Sequence, residues 1–224
     1  MFEDIIEAKA SVGHFVKKRI EEFKKLGREG ITFYDFRPFL DVQLEADIFS
    51  ELCFCLLTAN SSASIGIRLQ KEIGIEGFKR MSFEELVHTI SRYGHRFAKQ
   101  RAERIVKARE TFEDVLDIIN SAKSGREIRD LLSDACSKYK VEGFGLKEAS
   151  HFLRNVGFDD VAIIDRHVLR YLRENKLVPD QKTLTRRIYL MAEERLQDVC
   201  SQLNLTQAEL DLYIFYIKTK KVLK

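Results

Sequence analysis

Apolar residues recur three or four positions apart through almost the whole chain, and only two prolines interrupt them. Ile5, Ile6, Phe15, Val16, Ile20 and Phe23 form a first stripe; Leu44, Ile48, Phe49, Leu52 and Leu56 form a second. That spacing gathers side chains on one face of an α-helix, so the chain must bury helix faces against one another. The same periodicity predicts helices near 62–73, 82–93, 97–120, 126–140, 146–157, 166–175, 180–200 and 206–218. No sustained two-residue alternation appears, and the expected fold class is all-α. The stretch Gly27–Pro38 mixes glycines with β-branched and aromatic residues and reads as an irregular connection, with Pro38 limiting how helical Arg37 can be.

At 224 residues with 45% hydrophobic side chains, the chain can bury one large core or two intimately packed lobes, and disorder is not expected. No serine-rich linker or internal repeat divides it, so residues 1–224 are expected to form a single domain. Lys plus Arg number 38 against 35 Asp plus Glu, so affinity for a polyanion must come from clustered cations, not bulk charge. Arg96, Lys99, Arg101, Arg104 and Lys107 recur at helical spacing and form either a phosphate track or an ordinary solvated face. The opening MFEDIIEAKA lacks the basic start and apolar run of a secretory signal, and no apolar stretch approaches the ~20 residues that span a bilayer. Cys53, Cys55, Cys136 and Cys200 show no metal-ligand spacing and are expected to be reduced, packed thiols. His14, His88, His95, His151 and His167 are scattered without a ligand pattern, so no metal is expected.

Chemistry concentrates between residues 126 and 168. A stripe at Ile128, Leu131, Leu132, Ala135 and Tyr139 precedes Gly143 and Gly145, and a second stripe at Leu146, Ala149, Ser150, Leu153 and Val156 ends at Gly157. This is a helix, a glycine hairpin and a helix, spanning about 126–157. Free N–H groups at Gly143 and Gly145 could hold a phosphate without reading a base, although the glycines taken alone favour an ordinary helical corner. Lys147 lies in the first turn of the second helix, where the macrodipole opposes its charge. Any desolvation adds to that effect and favours a neutral, nucleophilic amine. Asp165 follows Lys147 by 18 residues, after an apolar run and before a helical pattern. It is placed to cap that helix, and a carboxylate held so rigidly could also stabilise a developing sugar cation.

The layout from Lys140 to His167 resembles the helix-hairpin-helix DNA glycosylase superfamily. With the run Glu51–Asn60, the Arg96-Phe97 and Arg101-Ala102 segment and Lys224, nearly the whole chain is similar to the second family of 8-oxoguanine DNA glycosylase/AP lyases, found mainly in archaea and some thermophilic bacteria. The resemblance implies two packed helical lobes with the active site between them. A flipped 8-oxoguanine would enter there, Lys147 would attack C1′, and the Schiff base would permit β-elimination, with Asp165 assisting. It also implies a base pocket drawing on Pro38, Gln43, Phe97, Phe215 and Lys224, with Phe215 standing where related chains often carry tryptophan. No cofactor or metal is implied. The implied partner is duplex DNA containing 8-oxoguanine, met by a monomer without an obligatory protein partner in a prokaryotic cytoplasm, beside the nucleoid. Two departures stand out: the hairpin has no proline, and the cysteine cluster of the iron–sulfur branch is missing. A different oxidised base, or a DNA-binding module without activity, are the other readings.

Overall fold

The computed structural model describes residues 2–180 and 183–224. Its elements run α1 (Glu3–Glu29), β1 (Ile31–Asp35), β2 (Gln43–Asp47), α2 (Ile48–Thr58), α3 (Ala63–Arg80), α4 (Phe83–Arg92), α5 (Ala98–Ile119), α6 (Gly125–Ser133), α7 (Leu146–Asn155), α8 (Arg166–Glu174), α9 (Arg186–Leu203) and α10 (Gln207–Thr219). Side chains fix most of the helix starts. Ser62, Ser82, Ser124, Thr185 and Thr206 each accept the N–H three residues on, which satisfies a donor the helix itself cannot.

The helical expectation holds, with differences that have local causes. The first helix does not break at Gly27. It runs on to Glu29, and Gly27 is where α1 touches the end of α7: a Cβ there would lie 2.1 Å from the carbonyl oxygen of Val156. The connection after it contains an antiparallel pair, with Tyr34 opposite Leu44. The third helix continues past residue 73, kinked at Gly74 where φ is 67°. By contrast α6 stops at Ser133, well short of residue 140. Lys140 folds back there, and its Nζ donates to Ser133 O at 2.8 Å and Phe144 O at 2.5 Å, satisfying a helix-end carbonyl and closing the hairpin. The last-but-one helix, expected from 180, begins at Arg186, and the residues at 181–182 lie outside those described.

One continuous apolar core joins the elements, with Val16 and Phe23 of α1, Phe54 and Leu56 of α2, Phe152 of α7 and Leu212 of α10 among its buried residues. The helix α1 packs on α10, α2 on α3 and α7, and α6 on α7. The thiols of Cys53, Cys55 and Cys200 are buried, whereas Cys136, in the hairpin after α6, is exposed, and all four are free. Among the described residues, no helix is long and apolar enough to cross a membrane.

Candidate active site

The hairpin between α6 and α7 leads into the helix that carries Lys147. Gly143 takes φ 93°, and a Cβ there would collide with the Arg104 side chain at 2.5 Å, so only glycine fits without a shift. Gly145 adopts extended backbone instead and serves as the N-cap of α7, its N–H donating to Glu148 Oε2 at 3.3 Å. Lys147 follows in the first turn. Its side chain is 29% exposed, and its Nζ pairs with Glu148 Oε1 at 3.0 Å.

Asp165 caps α8 as its sequence position suggested: Oδ1 accepts from His167 N at 2.8 Å and Val168 N at 2.9 Å. Both bonds fall on one oxygen, and among the described residues no hydrogen bond takes Oδ2. Capping therefore leaves the carboxylate one oxygen for chemistry.

Lys147 and Asp165 line the same cavity, of about 310 Å³. One wall is the turn between α2 and α3, from Thr58 to Ser64; the other is formed by α7, the start of α8 and α10. Phe215 and Lys224 also line it, and Phe215 meets His167 edge-on at 5.6 Å. Pro38, Gln43 and Phe97 do not line it. Pro38 follows a cis peptide bond, Gln43 Nε2 donates to Asp35 Oδ2 at 3.1 Å, and Phe97 stands at the start of α5 under the guanidinium of Arg96. The row of cations on α5 is divided in use. Arg101 is buried and donates to Ala59 O at 2.6 Å, while Lys107 pairs with Glu103.

Lys224 is no loose tail. Its buried Nζ lies 2.5 Å from Glu51 Oε2 and 2.6 Å from Gln70 Oε1, between the rings of Tyr34 and Phe54. Burial draws its pKa down to about 8 against the opposing pull of Glu51. From Glu51 the polar chain continues: Asn155 Nδ2 donates to Glu51 Oε1 at 2.6 Å, and Arg154 donates to Asn155 Oδ1. Arg154 also pairs with Asp211 Oδ1 at 2.5 Å, and Asp211 Oδ2 accepts the N–H of Ile163 at 2.8 Å. Burial raises Asp211 to about 6, opposed by the Arg154 charge. Ile163 lies two residues before Asp165, so this line of contacts ends at the loop that presents the acid.

Sequence reasoning passed over Asp211, Arg154 and Tyr189 and left His151 unassigned. Asp211 gave one signal, a lone acid inside the apolar run of α10. His151 gave another, four residues after Lys147 and hence on the same helix face.

The model for the family described as 8-oxoguanine DNA glycosylase matches residues 16–205. A relative from Aquifex aeolicus named 8-oxoguanine DNA glycosylase/AP lyase is 56% identical over 213 residues, covering 95% of this chain and 94% of its own. A relative of the same name from Methanocaldococcus jannaschii is 48% identical, covering 92% of this chain and 98% of its own. Among solved structures, the M. jannaschii 8-oxoguanine glycosylase/lyase in complex with a 15mer DNA containing 8-oxoguanine superposes with a TM-score of 0.82 at 45% identity, covering 99% of this chain and 98% of that one. The 8-oxoguanine DNA glycosylase of Thermotoga maritima gives 0.83 at 37% identity, covering 99% and 97%. With a helix, a glycine hairpin and a helix delivering Lys147 to the cavity that Asp165 also lines, the chain has the helix-hairpin-helix glycosylase fold and belongs to the 8-oxoguanine DNA glycosylase family.

Proposed function

We propose that the protein excises 8-oxoguanine from duplex DNA and then cleaves the strand, with Lys147 as nucleophile and Asp165 as its acidic partner. The observation that carries this is the shared cavity: the amine and the carboxylate reach it from different segments, and an apolar ring, Phe215, completes it. Its volume lies at the lower end of the ~300–1,000 Å³ typical of small-ligand pockets, a size suited to one flipped base.

The chemistry follows from the groups present. Lys147 Nζ must exchange its ion pair with Glu148 for a neutral lone pair, a proton leaving to solvent or to a carboxylate. The amine then attacks C1′ of the deoxyribose. The C1′–N9 bond breaks, and its electron pair leaves with the base, which takes up a proton. Positive charge developing on the sugar is stabilised by Asp165, whose Oδ1 is fixed by two N–H groups. Ring opening gives the iminium, loss of a C2′ proton breaks the C3′–O bond, and hydrolysis returns the free lysine. Gly143, Gly145 and the start of α7 would dock a backbone phosphate. Pro38, Gln43 and Phe97 lie outside the cavity and would reach a base only if DNA binding moved them. No cofactor enters the scheme, and we place the enzyme as a monomer in the cytoplasm, at the nucleoid.

Borohydride trapping on duplex DNA with one 8-oxoguanine opposite cytosine tests the reading. A covalent adduct is expected for the native chain, none on undamaged duplex, and none for Lys147→Gln. An adduct of equal yield in Lys147→Gln would remove Lys147 from the nucleophile's role. DNA binding with neither trapping nor base release would leave a binding module. Comparing lesion duplexes separates 8-oxoguanine from another oxidised base.

A further inference from the structure

We propose that Glu148 is a further catalytic residue, the base that takes the proton from the Lys147 ammonium and so frees the attacking lone pair. This rests on the base-excision reading above and assigns the destination of a proton that the reaction must remove. An ammonium has no lone pair, so an amine nucleophile needs a neighbouring group to deprotonate it. That group must lie within hydrogen-bond reach of the nitrogen, about 2.6–3.2 Å.

Glu148 meets the distance, with Oε1 standing 3.0 Å from Lys147 Nζ. Among the described residues, no other carboxylate forms an ion pair with Lys147. Asp165 borders the same cavity, but its Oδ1 is held by the N–H groups of His167 and Val168 at the start of α8. Glu148 is also fixed in place. Its second oxygen accepts the N–H of Gly145, the N-cap of α7, at 3.3 Å, which turns Oε1 toward the amine.

The side chains of Lys147 and Glu148 are 29% and 16% exposed, so in the free protein water supports the pair as two charges. A DNA strand laid over the start of α7 expels that water, and desolvation favours the neutral amine and the neutral acid. The N–H bond breaks and its electron pair stays on Nζ, to attack C1′. The proton rests on Glu148 Oε1 until solvent takes it.

A glutamate three residues after an N-cap has an ordinary use as well, since it closes a capping box. Glutamine closes the same box but accepts no proton, so Glu148→Gln separates the two roles. The variant should melt within a few degrees of the native protein. At neutral pH, its single-turnover base release from an 8-oxoguanine duplex should fall roughly 100-fold, the lower end of what a general base contributes. Strand cleavage at a preformed abasic site needs the same amine and should fall in parallel. The borohydride adduct should still reach the native final yield, only more slowly.

The rate of Glu148→Gln should then climb roughly tenfold per pH unit above neutrality, as solvent base replaces the carboxylate, and the native rate should climb less steeply. Cys55, Arg101, Lys140 and His151 stand within electrostatic reach of the pair, and the cavity adds Asp165 and Lys224. All six are present in both proteins, so the difference between the two profiles reports Glu148. Base release by Glu148→Gln that is undiminished or faster would overturn the assignment. So would a loss that stays constant with pH, the mark of a misplaced lysine. A native protein that forms no adduct on lesion DNA would instead overturn the proposed function, and this assignment with it.

Discussion

The hydroxyl of Tyr189 lies 2.9 Å from Ser150 Oγ, deep between α9 and α7. The same oxygen is 3.1 Å from Ala162 O and 3.4 Å from Leu146 O, so one phenol spans the first turns of the helix bearing Lys147 and the loop leading to Asp165. Tyr189→Phe keeps the packing and removes the tie. It should cost about 1–2 kcal/mol in denaturant unfolding, near the value of a buried hydrogen bond. It should also lower single-turnover base release by roughly tenfold with DNA affinity unchanged, since small misplacement of reacting groups is costly. A variant with native rates would show that other packing suffices to hold the two segments.

Capping and chemistry at Asp165 can be pulled apart. Asparagine is about as good a cap as aspartate, whereas alanine costs about 1 kcal/mol. Thermal melts should place Asp165→Asn near the native protein and Asp165→Ala several degrees below. Both should lose base release to a similar, severe extent, because neither supplies the negative charge. Activity that tracked stability across the pair would reduce Asp165 to a cap.

Asp211 makes stability depend on pH in a definite direction. Its folded pKa, about 6, lies above the ordinary carboxyl value of 3.8. The folded state therefore holds a proton that the unfolded chain has already released. The favourable contribution is full below about pH 4 and is lost as pH rises through about 6. Urea unfolding of native protein and Asp211→Asn across pH 4 to 7 should show this falling component in the native chain and its absence in the variant. Equal slopes would remove Asp211 as the source.

The pair of Lys224 with Glu51 is fully buried at both side chains. Removing one partner strands the other charge, at a cost of about 3–5 kcal/mol. Lys224→Met should lose that much in equilibrium unfolding, and Lys224→Met with Glu51→Gln should recover a substantial part. A double variant as unstable as the sum of its singles would mean the two residues act independently.

The helices were legible because their apolar stripes face a common core, and Asp165 because capping and the catalysis proposed for it ask for the same residue at the same place. The two-stranded sheet was not legible. In β1, Ile31 and Phe33 point to solvent while Thr32 and Tyr34 are buried, so polarity does not alternate along the sequence. The early end of α6 depends on Lys140 returning from seven residues downstream, which no local propensity encodes. Lys147 could be found from spacing. His151 and Asp211 gave only faint local signals and Arg154 none, since their contacts join α7, α10 and the turn after α2, and those exist only once the core has closed.

The exposure of Cys136 gives the native chain an experimental handle. Three of its four thiols are sealed in the interior, and the remaining one sits in the hairpin between α6 and α7. A maleimide fluorophore should therefore attach at a single position without any substitution. It would report DNA arrival from beside the element proposed to grip the backbone, in a protein whose cavity has been left untouched.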